Sequence, residues 1–166
     1  WESDEAKETN LNSLKSLQGE MGWNLLLNEH HFIERNNQRL AIVGVENWGE
    51  NGFKKAGDLD AACNGVSTDD LKILMSHDHS HWKAQVKNDD RNFHLTLSGH
   101  THGMQFGIEL PGWIKWSPVK YQYEHWAGIY EEFGRFINVN RGFGYLGYPG
   151  RVGIWPEITV IQLKVK

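Results

Sequence analysis

The sequence predicts a mixed α/β layer fold with two sheets. Two observations lead to this class: helical and strand patterns alternate along the first hundred residues, and strand patterns dominate afterwards. The chain has 166 residues, which is enough for one domain with a substantial hydrophobic core. No internal repeat, low-complexity segment or interdomain linker divides the sequence.

The elements of the first hundred residues follow from their spacing and capping residues. Ser3 and Asp4 are suitable N-caps, and apolar residues recur at helical spacing from Leu11 to Met21, so we predict an amphipathic helix over 4–20. Further predicted strands lie at 24–28, 31–35, 39–46, 71–75 and 93–97. We also predict a glycine-rich loop at 47–57, a short helix that is capped by Asp58 and ends at Ala62, and a helix at 80–88.

The remaining third of the chain is rich in aromatic residues, glycine and proline. Four of the eight tryptophans and all four prolines lie beyond Gly103. We expect strands near 127–130, 135–139 and 158–163 in this part, separated by loops.

Composition excludes several functional classes. The formal net charge of −4 gives no nucleic-acid-binding signature. No stretch of this sequence approaches the 18 consecutive apolar residues of a membrane span, by the usual length of about 18 to 20 residues. Cys63 is the only cysteine, which rules out an internal disulfide.

The histidines are the residues that point most directly at chemistry. The chain has nine, and five of them form two clusters, M-S-H-D-H-S-H-W with His77, His79 and His81, and S-G-H-T-H-G with His100 and His102. Each cluster directly follows a short apolar strand. Because ligands gather beyond the carboxyl ends of strands in α/β sheets, we expect both clusters at one site.

The second cluster has the spacing of a metal site. In extended backbone His100 and His102 project to the same side, and the flanking Gly99 and Gly103 permit a tight turn without crowding an ion. Imidazole suits borderline divalent ions such as zinc, manganese and iron. We therefore predict that His100, His102 and the similarly placed His77 are metal ligands.

For the other histidines, a structural role without metal binding is either preferred or remains open. His30, His31, His94 and His125 are expected to be surface residues or hydrogen-bonded residues of the core. The role of His79 and of its neighbour at position 81 is left open.

These motifs resemble those of a known family. G-H-T-H after one strand, preceded by I-L-M-S-H after another, is similar to the last two metal-binding motifs of calcineurin-like metallophosphoesterases. The segments M-G-W-N-L-L-L-N-E, A-I-V-G-V-E, V-N-R-G-F-G-Y, P-G-R-V and P-E-I-T-V-I-Q-L resemble bacterial members, many of which are membrane-anchored. The resemblance implies the two-sheet α/β sandwich of that family, with only its C-terminal portion in this chain, and a membrane-associated bacterial parent protein.

The resemblance also implies a site and a reaction. Two divalent ions, Mn, Fe or Zn, would be bound, with His77 and His100 on one ion and His102 on the other. An aspartate normally bridges the ions. They activate a water molecule for the hydrolysis of phosphomonoesters or phosphodiesters and neutralise the charge that develops on the phosphate.

Three motifs of that family do not occur in the sequence: D-x-H, G-D-x-x-D, and G-N-H-D or G-N-H-E. G-D-L-D at 57–60 has the wrong spacing for the second of them. We therefore expect residues 1–166 to be the C-terminal half of a single metallophosphoesterase domain. The N-terminal half would complete the site and supply the general acid upstream of Trp1, and the isolated chain would be inactive.

Three residues are candidates for contact with the phosphoester substrate. Arg141 and Arg151 lie in glycine-rich loops and could bind phosphate oxygens through two N–H groups each. The alternative for each is an exposed arginine or an ion pair with a carboxylate such as Glu157. His79 stands where many relatives carry proline, and it could add a ligand or a proton donor.

A second hypothesis is a noncatalytic module that binds glycans or lipid headgroups through an aromatic surface. The aromatic residues in question are Trp113, Trp116, Tyr121, Tyr123, Trp126 and Tyr130. The alternative is that these side chains pack beneath the long loops. A structural zinc site is disfavoured, because such sites close with four ligands, often thiolates, and one cysteine is available.

Overall fold

The mixed α/β class is confirmed by a computed structural model, which describes residues 1–49 and 52–164. Residues 50 and 51 of the predicted loop at 47–57 lie outside the described part. The helices are α1 (Asp4–Glu20), α2 (Leu59–Ala62) and α3 (Ser80–Ala84). The strands are β1 (Glu29–Arg35), β2 (Gln38–Gly44), β3 (Leu71–Met75), β4 (Leu95–Ser98), β5 (Ile108–Leu110), β6 (Ile114–Trp116), β7 (Gly128–Glu132) and β8 (Arg135–Val139).

Six strands form the main sheet in the order β1-β2-β3-β4-β8-β7. The four central strands β2, β3, β4 and β8 are parallel, and β1 and β7 run antiparallel at the two edges. The register places Val43 beside Leu74, Leu74 beside Thr96, and Thr96 beside Ile137. All four parallel strands therefore present their carboxyl ends at one edge of the sheet. β5 and β6 form a separate antiparallel hairpin.

One face of the main sheet carries the hydrophobic core. Its central side chains, among them Val43, Leu74 and Ile137, are fully buried. Trp82 of α3 and Leu59 of α2 pack over them in the same cluster. Burial of these apolar groups is the main force that holds the helices on this face.

The opposite face of the sheet and one side of α1 remain partly open. Leu71, Met75 and Phe136, which point to the opposite face, are each more than a third exposed. α1 begins at its predicted cap, where the Ser3 hydroxyl accepts a hydrogen bond from Ala6 N, but none of its residues is buried. Its leucine stripe thus lacks a packing partner among residues 1–49 and 52–164.

Three predicted elements differ from the structure. Residues 24–28 do not form a strand, and the helix expected at 80–88 ends at Ala84, with a 3-10 turn at Val86–Asn88 after the non-helical Gln85. Residues 158–163 also form no strand, and Ile158 and Val160 are 82% and 91% exposed. Alternating apolar residues need a hydrogen-bonding neighbour to become a strand, and the described residues offer these none. No helix in the described ranges has both the length and the apolarity to cross a bilayer.

Candidate metal centre

The two histidine clusters lie at the shared carboxyl edge of β3 and β4, as predicted. His77 follows β3 after one residue, and His100 follows β4 after Gly99. The backbone N–H of Gly99 donates to the His77 carbonyl oxygen over 3.0 Å, which ties the two strand exits together. Parallel pairing of β3 and β4 therefore delivers imidazoles from distant parts of the sequence to one place.

The rings of His77 and His100 are in edge contact. Their centroids are 5.4 Å apart and their planes are nearly perpendicular, at 89°. His79 lies beside them, with its ring centroid 6.1 Å from that of His100. Phe53 flanks the other side of His100 at 5.7 Å. The site is thus a compact group of imidazoles with an aromatic border.

His102 is held in an unusual backbone conformation. It begins a run of four residues, 102–105, whose φ angles are 50°, 58°, 54° and 54°. Only one of the four, Gly103, adopts this left-handed region without steric cost, and each other residue pays about 1 kcal/mol or more. Strain of this kind typically persists where a functional geometry requires it.

The polar atoms of these histidines suit a metal. His102 Nδ1 is buried and has no hydrogen-bond partner among the described residues. Burial lowers the pKa of His77, and the nearby His100 and His102 lower it further. Burial likewise lowers the pKa of His102, with Arg151 and His100 adding to the effect. The neutral form of both imidazoles, which is the form that binds metal, is thereby favoured.

The described part of the chain does not by itself form a closed metal site. It contains no group of three or more His, Cys, Asp or Glu side chains arranged to hold one ion. Within residues 1–49 and 52–164, no carboxylate joins these histidines in such a group, although hard and borderline ions commonly use carboxylate ligands.

Arg141 is held by two carboxylates. Its Nε donates to Glu157 over 2.7 Å and its Nη1 to Glu109 of β5. The ion pair with Glu157 that we considered as the alternative to phosphate binding is therefore present, and Glu109 adds a second partner. All three side chains are largely buried.

Arg151 has different partners. Its Nη1 donates to the carbonyl oxygen of His102, and its Nη2 donates to those of Arg141 and Gly144. Its Nε is buried without a hydrogen-bond partner in the described ranges. Burial lowers the pKa of this guanidinium, and the charge of Arg141 acts in the same direction. Arg151 thus brings a positive charge next to His102.

His79 is buried beside the two metal-ligand candidates. Tyr123 packs edge-on against its ring, with centroids 4.6 Å apart. A cavity of about 290 Å³ adjoins this pair and extends between Lys83 and His125. The contact of Tyr123 with His79 was not predictable from the sequence, because a tyrosine in a loop carries no periodic signal.

Gln105 is a second residue that the sequence analysis missed. Its Nε2 donates to the carbonyl oxygens of Tyr148 and Gly150, and its Oε1 accepts from the N–H of Leu146. One side-chain amide thereby holds the glycine-rich loop at 146–150 against the turn that carries His102.

The predicted aromatic platform does not form. Trp126 is buried in a small core with Val119 and Ile154, and the Tyr130 hydroxyl donates to the carbonyl oxygen of Ala127. Of the six aromatic residues, Trp113 and Tyr121 are well exposed. The interpretation that these side chains pack beneath loops is correct for Trp126 and Tyr130, and the hypothesis of a noncatalytic module is not favoured.

Comparison with known proteins gives several relatives. The chain is 36% identical over 107 residues to the uncharacterized metallophosphoesterase YkuE of Bacillus subtilis, a match covering 64% of this chain and 36% of that protein. It is 29% identical over 152 residues to a transmembrane protein with metallophosphoesterase domain of Danio rerio, covering 87% and 33%. It is 26% identical over 157 residues to the uncharacterized metallophosphoesterase YkoQ of Bacillus subtilis, covering 95% and 55%.

The chain thus spans between one third and just over one half of the length of these relatives. No family profile matches it. No solved structure matches it either. The relatives nevertheless share one family name over most of the chain, and the histidines that carry the motifs meet at one edge of the sheet. Several relatives named as metallophosphoesterases, at modest identity, therefore support the resemblance of this chain to the calcineurin-like metallophosphoesterase superfamily.

Proposed function

We propose that this chain supplies the histidine side of a two-metal phosphoesterase centre. His77 and His100 would ligate one ion and His102 the other. The single observation that carries the proposal is the edge contact of the His77 and His100 rings at the ends of two parallel strands, close to a His102 Nδ1 that is buried without a partner in the described residues. A buried ring nitrogen with no hydrogen bond is costly unless a ligand satisfies it.

The chemistry would be hydrolysis of a phosphomonoester or phosphodiester. Mn, Fe or Zn ions held by these histidines would supply Lewis-acid activation of water and charge neutralisation. The chain's own part is to keep the imidazoles neutral and fixed. Burial and mutual repulsion favour the neutral rings of His77 and His102, and the strand exits fix their directions.

Arg151 is the better of the two arginines as a phosphate contact. In the part of the chain that the structure describes, its hydrogen bonds go to carbonyl oxygens rather than to carboxylates. A phosphate oxygen at its buried Nε would satisfy the unpaired N–H and offset the cost of burying the guanidinium. Arg141, which is engaged by Glu109 and Glu157, would instead position the loop that presents Arg151, although direct contact of Arg141 with substrate stays a prediction.

His79 is proposed to act on the substrate rather than on a metal. It is buried between His100 and Tyr123 and lines the 290 Å³ cavity. From that position it could hold or donate a proton near the leaving oxygen. The general acid known from the family's motif would still come from outside residues 1–166.

The rest of the domain is proposed to come from an N-terminal half. The leucine stripe of α1 and the apolar side chains Leu71, Met75 and Phe136 on the open sheet face are the surfaces that it would cover. It would also bring the bridging aspartate and the remaining ligands. On this proposal residues 1–166 are the C-terminal half of one domain.

A membrane location is part of the proposal. Two relatives, from Danio rerio and Bos taurus, are named as transmembrane proteins with a metallophosphoesterase domain. We propose that the protein containing this chain is associated with a membrane in a bacterium.

Metal titration tests the centre. In the whole domain that we propose contains this chain, replacement of His100 or His102 by alanine should weaken Mn²⁺ or Zn²⁺ binding, measured by isothermal titration calorimetry. The same replacements should lower phosphodiester turnover by more than roughly 100-fold. His31→Ala is the matched control, because His31 is an exposed histidine on β1 and should leave both quantities unchanged. Equal effects of the His31 and His102 substitutions would refute the assignment.

A second measurement tests the division of the domain. A preparation of residues 1–166 alone should bind metal weakly and hydrolyse bis(p-nitrophenyl) phosphate at a rate close to that of the buffer with metal. Full turnover by these residues alone would show that no further half is needed.

A further inference from the structure

His81, the last histidine of the first cluster, is fully buried in the first turn of α3. Its ring is held on two sides. The indole of Trp48 stacks on it, with ring centroids 4.3 Å apart and an angle of 11° between the ring planes. At the ring edge, Nε2 lies 3.2 Å from Oε1 of Gln85, the residue that follows α3. These two contacts fix the orientation of the imidazole.

The contact with Gln85 decides which ring nitrogen of His81 carries the proton. Gln85 Oε1 can only accept a hydrogen bond, so Nε2 of His81 is the donor. Burial lowers the pKa of His81, and the positive charge of Lys55 acts in the same direction, which favours the neutral ring. In a neutral imidazole the other nitrogen, Nδ1, is an acceptor. His81 thus presents a hydrogen-bond acceptor at a fixed position inside the protein.

The hydroxyl of Ser76 donates to this acceptor. Ser76 Oγ lies 2.9 Å from His81 Nδ1, whereas a second acceptor, the carbonyl oxygen of Asp78, lies 3.5 Å from Oγ. The single hydroxyl proton therefore goes to His81. Ser76 and His81 are 1% and 0% exposed, so water does not replace this hydrogen bond when it is lost. The bond ties the end of β3 to α3.

Ser76 directly precedes the metal-ligand candidate His77. His77 is more exposed than its two buried neighbours, Ser76 and Asp78, so packing restrains its ring less than theirs. The N–H of Ser76 donates to the carbonyl oxygen of Leu97 in β4 over 3.0 Å, and its hydroxyl donates to His81. Ser76 is thus held from the sheet and from the helix. These two bonds set the direction in which the chain leaves β3 and presents His77.

We propose that His81 is a positioning residue for the metal centre, and that it acts through Ser76 on the orientation of His77. The inference rests on the proposed function, in which His77 ligates an ion. His81 itself touches neither the ion nor the substrate. Hydrogen-bonded groups that orient metal ligands typically change the metal affinity by about 10–100-fold when they are lost.

Mn²⁺ titration of the natural full-length protein by isothermal titration calorimetry tests this role. Ser76→Ala removes the donor, and His81→Phe removes the acceptor while it keeps an aromatic ring against Trp48. Each should weaken Mn²⁺ binding by roughly tenfold or more. Ser98→Ala is the matched control, because the hydroxyl of Ser98 on the adjacent β4 is also buried but has no hydrogen-bond partner among the described residues. Equal losses of affinity in the two serine variants would overturn the proposal.

A double variant separates positioning from general stability. His81→Phe leaves the Ser76 hydroxyl buried without its acceptor, so adding Ser76→Ala should raise the urea midpoint of unfolding above that of His81→Phe alone. The Mn²⁺ affinity of the double variant should stay as low as that of His81→Phe, because the bond that restrains Ser76 is still missing. Recovery of the affinity together with the stability would show that His81 acts only through stability, and would overturn the proposal.

His77→Ala in the same titration separates this inference from the proposed function. Unchanged Mn²⁺ binding by His77→Ala would refute the assignment of His77 as a ligand, and the positioning role with it. Weaker binding by His77→Ala, together with unchanged binding by Ser76→Ala and His81→Phe, would refute the positioning role alone and leave the metal centre intact.

Discussion

Replacing Arg141 by methionine should destabilise the protein strongly. The guanidinium lies between Glu109 and Glu157, at 2.7 Å from the latter, and the three side chains are 8%, 16% and 18% exposed. Methionine retains most of the packing volume but leaves two carboxylates buried without a positive partner. Removing one member of a buried ion pair typically costs about 3–5 kcal/mol, so we expect a loss in that range in the free energy of unfolding.

Urea unfolding followed by far-UV circular dichroism measures this loss, and a rescue variant isolates its cause. Adding Glu109→Gln and Glu157→Gln to Arg141→Met removes both stranded charges and should restore most of the lost free energy. A loss below about 1 kcal/mol for the single variant, within the range of surface ion pairs, would refute the reasoning. So would failure of the triple variant to recover stability, since the carboxylates would then not be the source of the cost.

Three further predictions concern the core, the pH dependence and the backbone. Trp82→Ala should lower the unfolding free energy by about 3–5 kcal/mol, because Trp82 is 1% exposed. Trp113→Ala, at an 83% exposed site, should change the unfolding free energy by less than about 0.5 kcal/mol in the same urea titration. His94 accepts a hydrogen bond from the N–H of Lys72, and burial together with nearby positive charge lowers its pKa. The unfolded state therefore binds the proton more readily, so the contribution of His94 to stability is present above the unfolded pKa of about 6.5 and is lost as the pH falls below it. His94→Gln should flatten the acid side of a curve of unfolding free energy against pH. An unchanged curve would contradict this. Gly153→Ala should lower the melting temperature markedly, because φ is +66° and the added methyl would clash with the backbone carbonyl oxygen of Gly107. A melting temperature equal to that of the natural protein would contradict this backbone geometry.

The sheet was predictable where the sequence pattern and the burial agree. The strand L-K-I-L-M at 71–75 was expected at its observed bounds, and so was α1. Lys72 shows the limit of such patterns, because it is fully buried within that strand. Its Nζ reaches past the strand end to donate to three backbone carbonyl oxygens, and this compensation depends on loop geometry that periodicity does not encode.

Part of the candidate site was also predictable. The position of His77 and His100 at neighbouring strand ends follows from two apolar runs that each stop at a histidine cluster, and the structure brings the two rings together. The second partner of Arg141 was not predictable, because Glu109 belongs to a hairpin that the pattern did not reveal. The left-handed backbone conformation of residues 102–105 was not predictable either, because three of the four residues are types that rarely adopt positive φ.

The loop held by Gln105 has a consequence for its behaviour in different surroundings. Here the backbone from Leu146 to Gly150 is fixed from within by three hydrogen bonds to one amide, and Tyr145, Leu146 and Tyr148 contribute little burial of their own. Hydrogen bonds between backbone and amide grow stronger as the surrounding dielectric constant falls. The loop is therefore expected to keep the same conformation when it is exposed to water and when water is excluded from it.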